Sequence, residues 1–322
     1  VGSEMCIRDS PVESVDGVFT SGGAEANLTA LLAAINDKFP EFAKNGVHAL
    51  PRNLKIYCSA ESHHTIVKSA RICGLGSNCV SYIEVDEKQR MIPLELARQI
   101  SNDEKESCVP LMIFATCGTT GSGAIDPIRE IAQIAMENNC WIHADAAYGG
   151  AVALTNDYKQ LLDGIKLVDS ITFDAHKWLS VPMAASMFLT RHKQILGQTF
   201  RISTEYMPND ELDIQELGSF AHSIQWSRRF IGLKLYLPLL VFGWKGFDAT
   251  IARQIELGKI LKEKLIQNDW IVLNDTDLPV VCFTDRKSAN DPSCAESVAS
   301  KIVSSGTAWV STYPVGNKMG IR

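Results

Sequence analysis

The chain has 322 residues, of which 46% are hydrophobic and 21% are charged, with a formal net charge of −6. This composition is typical of a folded globular protein, and it argues against disorder and against nucleic acid as a partner. No apolar run approaches the roughly 20 residues that span a bilayer, so a soluble protein with no membrane partner is expected.

From Val18 onward, short apolar runs alternate with helical patterns, which predicts an α/β fold whose mostly parallel sheet is covered by helices. The predicted strands are Leu54–Ser59, Val80–Val85, Val109–Ala115, Cys140–Ala144, Ser170–Phe173 and Ala185–Thr190. The predicted helices, with apolar residues three and four apart, are Ala24–Ile35, Pro93–Ile100 and Pro127–Glu137.

The stretch Arg229–Asn268 is almost entirely helical in pattern, with interruptions at Pro238, Gly243 and Gly246. It is predicted to be a long connector that leaves the first domain. The elements predicted beyond it are the strands Trp270–Leu273 and Pro279–Thr284 and the helix Ala295–Ser304.

These patterns predict a large domain over residues 11–245 and a smaller α/β domain over residues 246–322. Residues 1–10 do not match the pattern of the remaining chain and resemble a translated adapter sequence, so we expect them to be non-native. The sequence stops inside an apparent final strand, and the small domain is therefore expected to be incomplete.

Nine cysteines are present, and none forms a CxxC pair. Several lie in or beside apolar, strand-like runs, where cysteine behaves as a small buried hydrophobic residue. Neither a metal site nor a disulfide framework is expected from this spacing, and a reducing cytoplasm fits best.

The first motif with chemical meaning is SGGAEAN, in which Gly22 and Gly23 precede a helix that begins near Ala24. A helix N-terminus offers unpaired N–H groups and a partial positive charge, and glycine allows close approach of a phosphate. Plain helix capping is the alternative interpretation, because the full spacing of a known phosphate loop is missing.

Two later motifs place polar residues directly after apolar strands. WIHADAAYGG delivers Asp145 at a strand end, the edge at which open α/β sheets bind ligands, although an aspartate there can also cap the next helix. DSITFDAHKWLSVP delivers Asp174, His176 and Lys177 after another strand. Desolvation can lower the pKa of such a lysine toward the range of a nucleophile, which a Schiff-base lysine requires, whereas a surface lysine is the ordinary alternative.

A carboxylate and an amine from these two strand ends can meet opposite sides of one pyridine ring, and the combination resembles fold-type-I pyridoxal-phosphate enzymes. The ordered motifs resemble more narrowly the group II amino-acid decarboxylases, the family of aromatic-amino-acid and glutamate decarboxylases. The resemblance runs from about Val18 to Thr312, over SGGAEAN, SAESHHTIVKSA, ATCGTTGSGAIDP, HADAAYGG, DAHKW and QWSRRFIGLK.

The resemblance implies a role for each matching residue toward pyridoxal 5′-phosphate. Lys177 would form the Schiff base, Asp145 would pair with the pyridine nitrogen, and His63 would stack on the ring. The other residues implied to contact or support the cofactor are Gly23 and Ala24 at the phosphate, Thr120, His143, Asp174 and His176.

The family resemblance also implies the reaction and the partners. An L-amino acid would lose carbon dioxide and leave as the corresponding amine, which makes the expected activity that of a carboxy-lyase. Members of this family resemble obligate homodimers whose sites lie at the interface.

Two positions depart from the family pattern. A mobile loop in aromatic-amino-acid decarboxylases supplies a tyrosine thought to protonate Cα, but no tyrosine occurs between Met207 and Arg229. His222 is the candidate donor in that region. Asp174 stands where several members carry asparagine, which could alter the phosphate side of the pocket.

Three other functions stay open. Carbon–carbon lyases of the sphingosine-phosphate-lyase type share a DA…GG and HK pattern, but the QWSRRFIGLK stretch argues against that class. Aminotransferases have no evident need for the same stretch. An inactive, cofactor-binding relic is the remaining possibility, because a fold does not fix a function.

Overall fold

The computed structural model describes residues 15–202 and 219–322. Its strands are β1 (Asp16–Thr20), β2 (Leu54–Ser59), β3 (Val80–Ile83), β4 (Val109–Thr116), β5 (Trp141–Asp145), β6 (Ser170–Asp174), β7 (Ser186–Thr190), β8 (Trp270–Val272), β9 (Phe283–Asp285), β10 (Thr312–Val315) and β11 (Lys318–Ile321). Its α-helices are α1 (Gly23–Lys38), α2 (Phe42–Asn45), α3 (Thr65–Ile72), α4 (Pro93–Lys105), α5 (Ile128–Glu137), α6 (Ala175–Trp178), α7 (Ile195–Phe200), α8 (Gly232–Gln267) and α9 (Pro292–Ser304). Its 3₁₀ turns are Gly46–Ala49, Ser77–Cys79, Gly149–Leu154, Lys159–Leu162, Ile165–Leu167 and Ser219–His222.

A seven-stranded sheet with the order β1-β7-β6-β5-β4-β2-β3 forms the centre of the molecule. The strands β3, β2, β4, β5 and β6 run parallel, whereas β7 is antiparallel to both β6 and β1. The α/β fold class predicted from the sequence is therefore confirmed. The carboxyl ends of β4, β5 and β6 lie side by side at one edge of the sheet.

Helices cover both faces of this sheet, which is why its strands are nearly continuous apolar runs. Seven of the eight residues of β4 are buried. One core layer packs α4, α5 and the second half of α8 against the sheet, and the other packs α1, α3 and α7 against the opposite face. The alanine- and leucine-rich α1 suits this position because small, strong helix formers allow close packing.

The six strands predicted in the large sheet are confirmed, with shifts of at most two residues at their ends. The edge strand β1 and helix α3 were not predicted. Residue Val85, predicted to end a strand, lies beyond β3 and forms an isolated bridge to Met91.

A smaller antiparallel sheet with the order β10-β11-β9-β8 packs with α9. The predicted strand Pro279–Thr284 is placed too early, because only Phe283 and Thr284 of it belong to β9. The hairpin of β10 and β11 was not predicted as two strands. Between the sheets, α8 breaks at Gly243, whose φ of 60° is outside the helical region.

No helix in the two described ranges is long and apolar enough to cross a membrane. The proposed non-native segment, residues 1–10, lies outside the described residues.

Candidate active site

Three polar residues end neighbouring parallel strands and therefore meet at one edge of the sheet. In the strand register, Thr116 of β4 pairs with Asp145 of β5, and Asp145 pairs with Thr172 of β6. Asp174 follows at the last position of β6. This edge is where the crossover helices leave room for a ligand in an open α/β sheet.

A cavity of about 220 Å³ opens at this edge. Seven of the nine residues predicted to form the site line it, and they come from five separate segments of the chain. These seven residues are Gly23, Ala24, His63, Thr120, Asp145, Asp174 and Lys177. The other residues that line it are Asn27, Thr65, Thr116, Gly118, Ala147 and Tyr148.

Asp145 is buried, with 6% of its surface exposed, and both of its carboxylate oxygens accept hydrogen bonds. Oδ2 accepts from Nδ2 of Asn27 at 2.9 Å, and Oδ1 accepts from the backbone N–H of Ala147 at 3.2 Å. The two donors fix the orientation of the carboxylate. No role was predicted for Asn27, although an asparagine one turn into a buried, apolar helix is a signal that could have identified it.

Lys177 lies in the short helix α6, directly after β6, and its Nζ is 3.1 Å from Oδ2 of Asp174. The lysine side chain is 40% exposed and the aspartate side chain 2% exposed. The second oxygen of Asp174, Oδ1, is buried and has no hydrogen-bond partner among the described residues. Asp174 therefore holds the amine at the cavity and keeps one free acceptor.

Helix α1 begins at the same cavity. The N–H groups of Gly23 and Ala24 lie in its first turn, where no preceding helical carbonyl can accept them. A Cβ atom added to Gly23 would lie 2.8 Å from Oδ2 of Asp174, whereas one added to Gly22 would meet nothing within 4 Å. A side chain at position 23 would therefore force the carboxylate of Asp174 to move.

His63 stands at the exposed mouth of the cavity, just before α3. The backbone N–H of Thr65 donates to Nδ1 of His63 at 3.2 Å, so Nδ1 is an acceptor and the ring proton is on Nε2. Burial lowers the pKa of His63 below its ordinary value, and the nearby ammonium of Lys177 acts in the same direction. The ring is therefore neutral near pH 7.

The other two predicted residues, His143 and His176, do not line the cavity. His143 is completely buried behind Asn27, and its nitrogens contact Ser170, Thr172 and Asn27. Asn27 stands between His143 and Asp145, so His143 reaches Asp145 through Asn27, and its supporting role toward the cofactor stays a prediction. His176 turns its Nδ1 toward the backbone N–H of Ala185, with Nε2 3.9 Å from Oδ2 of Asp174.

The candidate proton donor His222 does not line the cavity, and its role stays a prediction. Its ring lies near Gly197 of α7 and interacts electrostatically with Asp16, at the first residue of β1. Residues 203–218 of the same region are outside the described ranges.

Tyr148 was also missed by the sequence analysis. Its ring lines the cavity and stacks on Trp178, with 4.9 Å between the ring centroids and 9° between the planes. Trp178 is held in turn by a hydrogen bond from its Nε1 to Gln254 of α8. The HADAAYGG motif contains Tyr148, but its aromatic partner is distant in sequence.

The cavity fits pyridoxal phosphate through the groups that it offers. It has a buried, hydrogen-bonded carboxylate for a pyridine nitrogen, a primary amine for an aldehyde, and a glycine-bearing helix N-terminus for a phosphate. Each of the three parts of the cofactor therefore has a chemically matched group. The fold and this site define a fold-type-I pyridoxal-phosphate enzyme.

Residues 5–286 match the model of the family described as "Pyridoxal-dependent decarboxylase conserved domain". The chain belongs to this family, as the sequence motifs predicted, and the family's cofactor is the one that the cavity fits.

Curated relatives and solved structures agree with this assignment. The chain is 32% identical to an aromatic-L-amino-acid decarboxylase of Bacillus atrophaeus over 317 residues, and 32% identical to a cysteine sulfinic acid decarboxylase of Rattus norvegicus over 318 residues. These matches cover 96% and 94% of this chain and 64% of each relative. The crystal structure of mouse CSAD is similar with a TM-score of 0.89 at 31% identity, covering 96% of this chain and 67% of that chain. That of Oryza sativa TDC with PLP and tryptamine has a TM-score of 0.88 at 26% identity, covering 96% of this chain and 65% of that chain. The chain thus spans somewhat less than two thirds of the length of these curated relatives.

Proposed function

We propose that the protein decarboxylates an L-amino acid to the corresponding amine with the help of pyridoxal 5′-phosphate, as a carboxy-lyase. The observation that carries this proposal is the cavity in which Asp145, Lys177 and the start of α1 meet. The named activities of the relatives, which are amino-acid decarboxylases, favour this reaction over the carbon–carbon lyase alternative.

Bound pyridoxal phosphate would supply an electron sink that lets the substrate carboxylate leave as carbon dioxide. Lys177 would hold the cofactor through its amine and give it up to the amino group of the substrate. Asp145 would keep a proton on the pyridine nitrogen by a charge-assisted hydrogen bond, and its two donors hold the carboxylate in position for this task.

The remaining residues of the cavity would position the cofactor. The N–H groups of Gly23 and Ala24, with Thr120, would bind the phosphate at the helix N-terminus. The free oxygen Oδ1 of Asp174 is suited to accept a hydrogen bond from a protonated phosphate oxygen. His63 would cover one face of the ring and turn its Nε2–H toward the substrate carboxylate.

A homodimer is part of the proposal. The first half of α8 exposes a run of apolar side chains that exceeds what scattered surface residues explain. These side chains are Leu233, Tyr236, Leu237, Leu240, Val241, Phe242 and Trp244. The same half of α8 contacts the segment after Lys177, because Nζ of Lys234 donates to the carbonyls of Met183 and Ala184 at 2.5 and 3.3 Å. A second copy on this face would therefore adjoin the site.

A cytoplasmic location and a domain boundary near residue 245 also belong to the proposal. Eight cysteines of the described part of the chain are free thiols, which supports a reducing compartment. The break of α8 at Gly243 supports the boundary.

The test is a product assay on the protein loaded with pyridoxal phosphate, with aromatic, acidic and diamino L-amino acids as substrates. We expect amine and carbon dioxide in equal amounts, and no product from Lys177→Ala. A keto acid would identify an aminotransferase, and cofactor binding without any product would identify a relic. Light scattering on the same sample measures the oligomeric state, and a monomer would contradict the homodimer.

A further inference from the structure

A chain of buried hydrogen bonds runs through the sheet behind the cavity. It begins at Trp141, whose Nε1–H donates to Oγ of Ser170 at 2.8 Å. The same oxygen lies 2.8 Å from Nδ1 of His143, and Nε2 of His143 lies 3.2 Å from Oδ1 of Asn27. Asn27 then donates from Nδ2 to Asp145 at 2.9 Å.

The two ends of this series of hydrogen bonds determine which atom donates at each step. An indole N–H can only donate, and an ionised carboxylate can only accept. The hydroxyl of Ser170 accepts from Trp141 and contacts only Trp141 and His143 among the described side chains. It therefore donates its own hydrogen bond to Nδ1 of His143. His143 then carries its ring proton on Nε2, which points at Thr172 and the oxygen of Asn27.

The reverse arrangement would place two acceptors against each other. If His143 carried its proton on Nδ1 and Asn27 kept its orientation, Nε2 would face the amide oxygen of Asn27 at 3.2 Å with no proton between them. If the amide turned to donate to Nε2, its nitrogen would turn away from Asp145. The amide oxygen would then face the carboxylate. The hydroxyl of Thr172 opposes this turn as well, because it donates to Oδ1 of Asn27 at 2.8 Å. Since these side chains are at least 94% buried, water does not compensate a wrong orientation.

A branch of the chain reaches His63. The second N–H of Asn27 donates to Oγ1 of Thr65 at 2.9 Å, and this hydroxyl lies 3.1 Å from Nδ1 of His63. Because the hydroxyl oxygen of Thr65 accepts from Asn27, the hydroxyl can donate a hydrogen bond to Nδ1 of His63. The proton on Nε2 of His63 therefore faces the cavity. One amide thus supports both residues that would contact the cofactor ring.

We propose that Asn27 is a positioning residue for Asp145 and His63, and that Trp141, Ser170 and His143 hold its amide in the working orientation. The proposal rests on the proposed function for the roles of Asp145 and His63, but the tautomer of His143 does not depend on it. Burial lowers the pKa of His143 to about 3, which agrees with a neutral ring that can accept at Nδ1.

The first test measures the tautomer of His143 by ¹⁵N NMR on the protein without substrate. Wild type should carry the proton on Nε2 alone. Trp141→Phe keeps an aromatic ring but removes the indole N–H that orients the Ser170 hydroxyl, and it should shift the signal of Nδ1 of His143, which accepts from that hydroxyl. Trp270→Phe, in the small sheet, is the matched control and should leave His143 unchanged. A proton on Nδ1 in wild type, or an unchanged signal in Trp141→Phe, would overturn the chain of donors.

The second test compares Asn27→Ala with Asn36→Ala, a buried asparagine of the same helix whose side chain donates to the carbonyl of Leu32. Asn27→Ala should weaken cofactor binding, followed by absorbance, at least tenfold and change the pH titration of the bound cofactor, whereas Asn36→Ala should change neither. If Asn27→Ala does not fold, Asn27→Asp takes its place and should weaken binding by setting two carboxylates against each other.

Binding within twofold of wild type for the Asn27 variant would overturn the positioning role. The protein could instead form no amine while His143 carries its proton on Nε2 and Asn27→Ala weakens cofactor binding. That result would contradict only the decarboxylase activity. The two failures are therefore distinguishable.

Discussion

Asp145→Asn changes a carboxylate into an amide of the same size at the centre of the proposed site. In the wild type both oxygens accept hydrogen bonds, from Nδ2 of Asn27 at 2.9 Å and from the N–H of Ala147 at 3.2 Å. An asparagine can satisfy one of these donors with its oxygen. Its nitrogen then faces the other donor, so one buried hydrogen bond is lost.

The expected effects have two separate magnitudes. A lost hydrogen bond with an unsatisfied buried group costs about 1–3 kcal/mol of folding free energy. Toward the cofactor, the missing charge-assisted hydrogen bond is worth about 1.5–3 kcal/mol, which corresponds to a fall in turnover of about 10- to 160-fold. Because the lysine and the phosphate-binding groups are unchanged, the variant should still bind the cofactor, with an affinity lowered by the lost hydrogen bond.

The assay is amine formation at saturating cofactor, together with thermal unfolding of the cofactor-free protein. Asp163→Asn is the control, because Asp163 is an exposed carboxylate paired with Arg129 at 2.6 Å, far from the cavity lining. Activity of Asp145→Asn within a factor of about ten of wild type, or ~1.4 kcal/mol, would refute the proposed role of the carboxylate.

Three further outcomes are expected. Borohydride should fix the cofactor to Lys177 in the wild type and fail to do so in Lys177→Ala, and attachment to another lysine would contradict the assignment. Gly23→Ala should weaken cofactor binding, because the added Cβ would lie 2.8 Å from Asp174. Gly22→Ala should bind the cofactor normally, because a Cβ there meets nothing within 4 Å. Equal affinities of the two variants would remove Gly23 from the phosphate site. Since burial holds the pKa of His63 below 6.5, the unfolded chain takes up a proton before the folded chain does, so stability and activity should both fall as the pH drops below 6.5. The fall in activity at low pH should shift or disappear in His63→Gln. If it is unchanged in this variant, another group causes it.

The sequence predicted the strands that carry the site because each is an apolar run bounded by turn residues, and its last residue is polar. Asp145 and Asp174 were identified by that change from apolar to polar residues at a strand end. Strand β1 was missed because its partner β7 lies about 170 residues away, and no local pattern marks an antiparallel edge strand. Strand β9 was placed too early because residues Val280 to Cys282 are buried without joining the sheet ladder.

The hydrogen-bonded support of the site could not be predicted in the same way. Asn27 and Thr65 lie in helical segments, and only the three-dimensional fold brings them to Asp145 and His63. The family resemblance made His143 a supporting residue for the cofactor and Asp145, through its place in the HADAAYGG motif. Alternation of side chains along a strand brings such residues to the same face, but the intervening Asn27 of another segment cannot be read from β5 itself.

The small sheet should influence cofactor binding although it contributes no residue to the cavity lining. The loop at residues 117–124, which carries Thr120 and Gly118, is held by Asn274. Its Nδ2 donates to the carbonyl of Ser122 at 2.7 Å and to that of Val280 at 2.8 Å, and its Oδ1 accepts from the N–H of Cys282 at 2.7 Å.

Asn274→Ala removes these three buried hydrogen bonds at once and leaves their partners without a replacement, since the site is 7% exposed. We expect a loss of about 1–3 kcal/mol of folding free energy, concentrated at the loop. The cofactor affinity should also fall, although no cavity residue has changed. Asn268→Ala, which loses only a bond to the carbonyl of Lys264 at the exposed end of α8, serves as the control. Hydrogen exchange at Thr119 to Gly123 should increase in the first variant and not in the second. If the loop exchanges faster while the cofactor binds as in the wild type, then Thr120 does not contribute to the phosphate site, and α1 with Asp174 is sufficient to hold it.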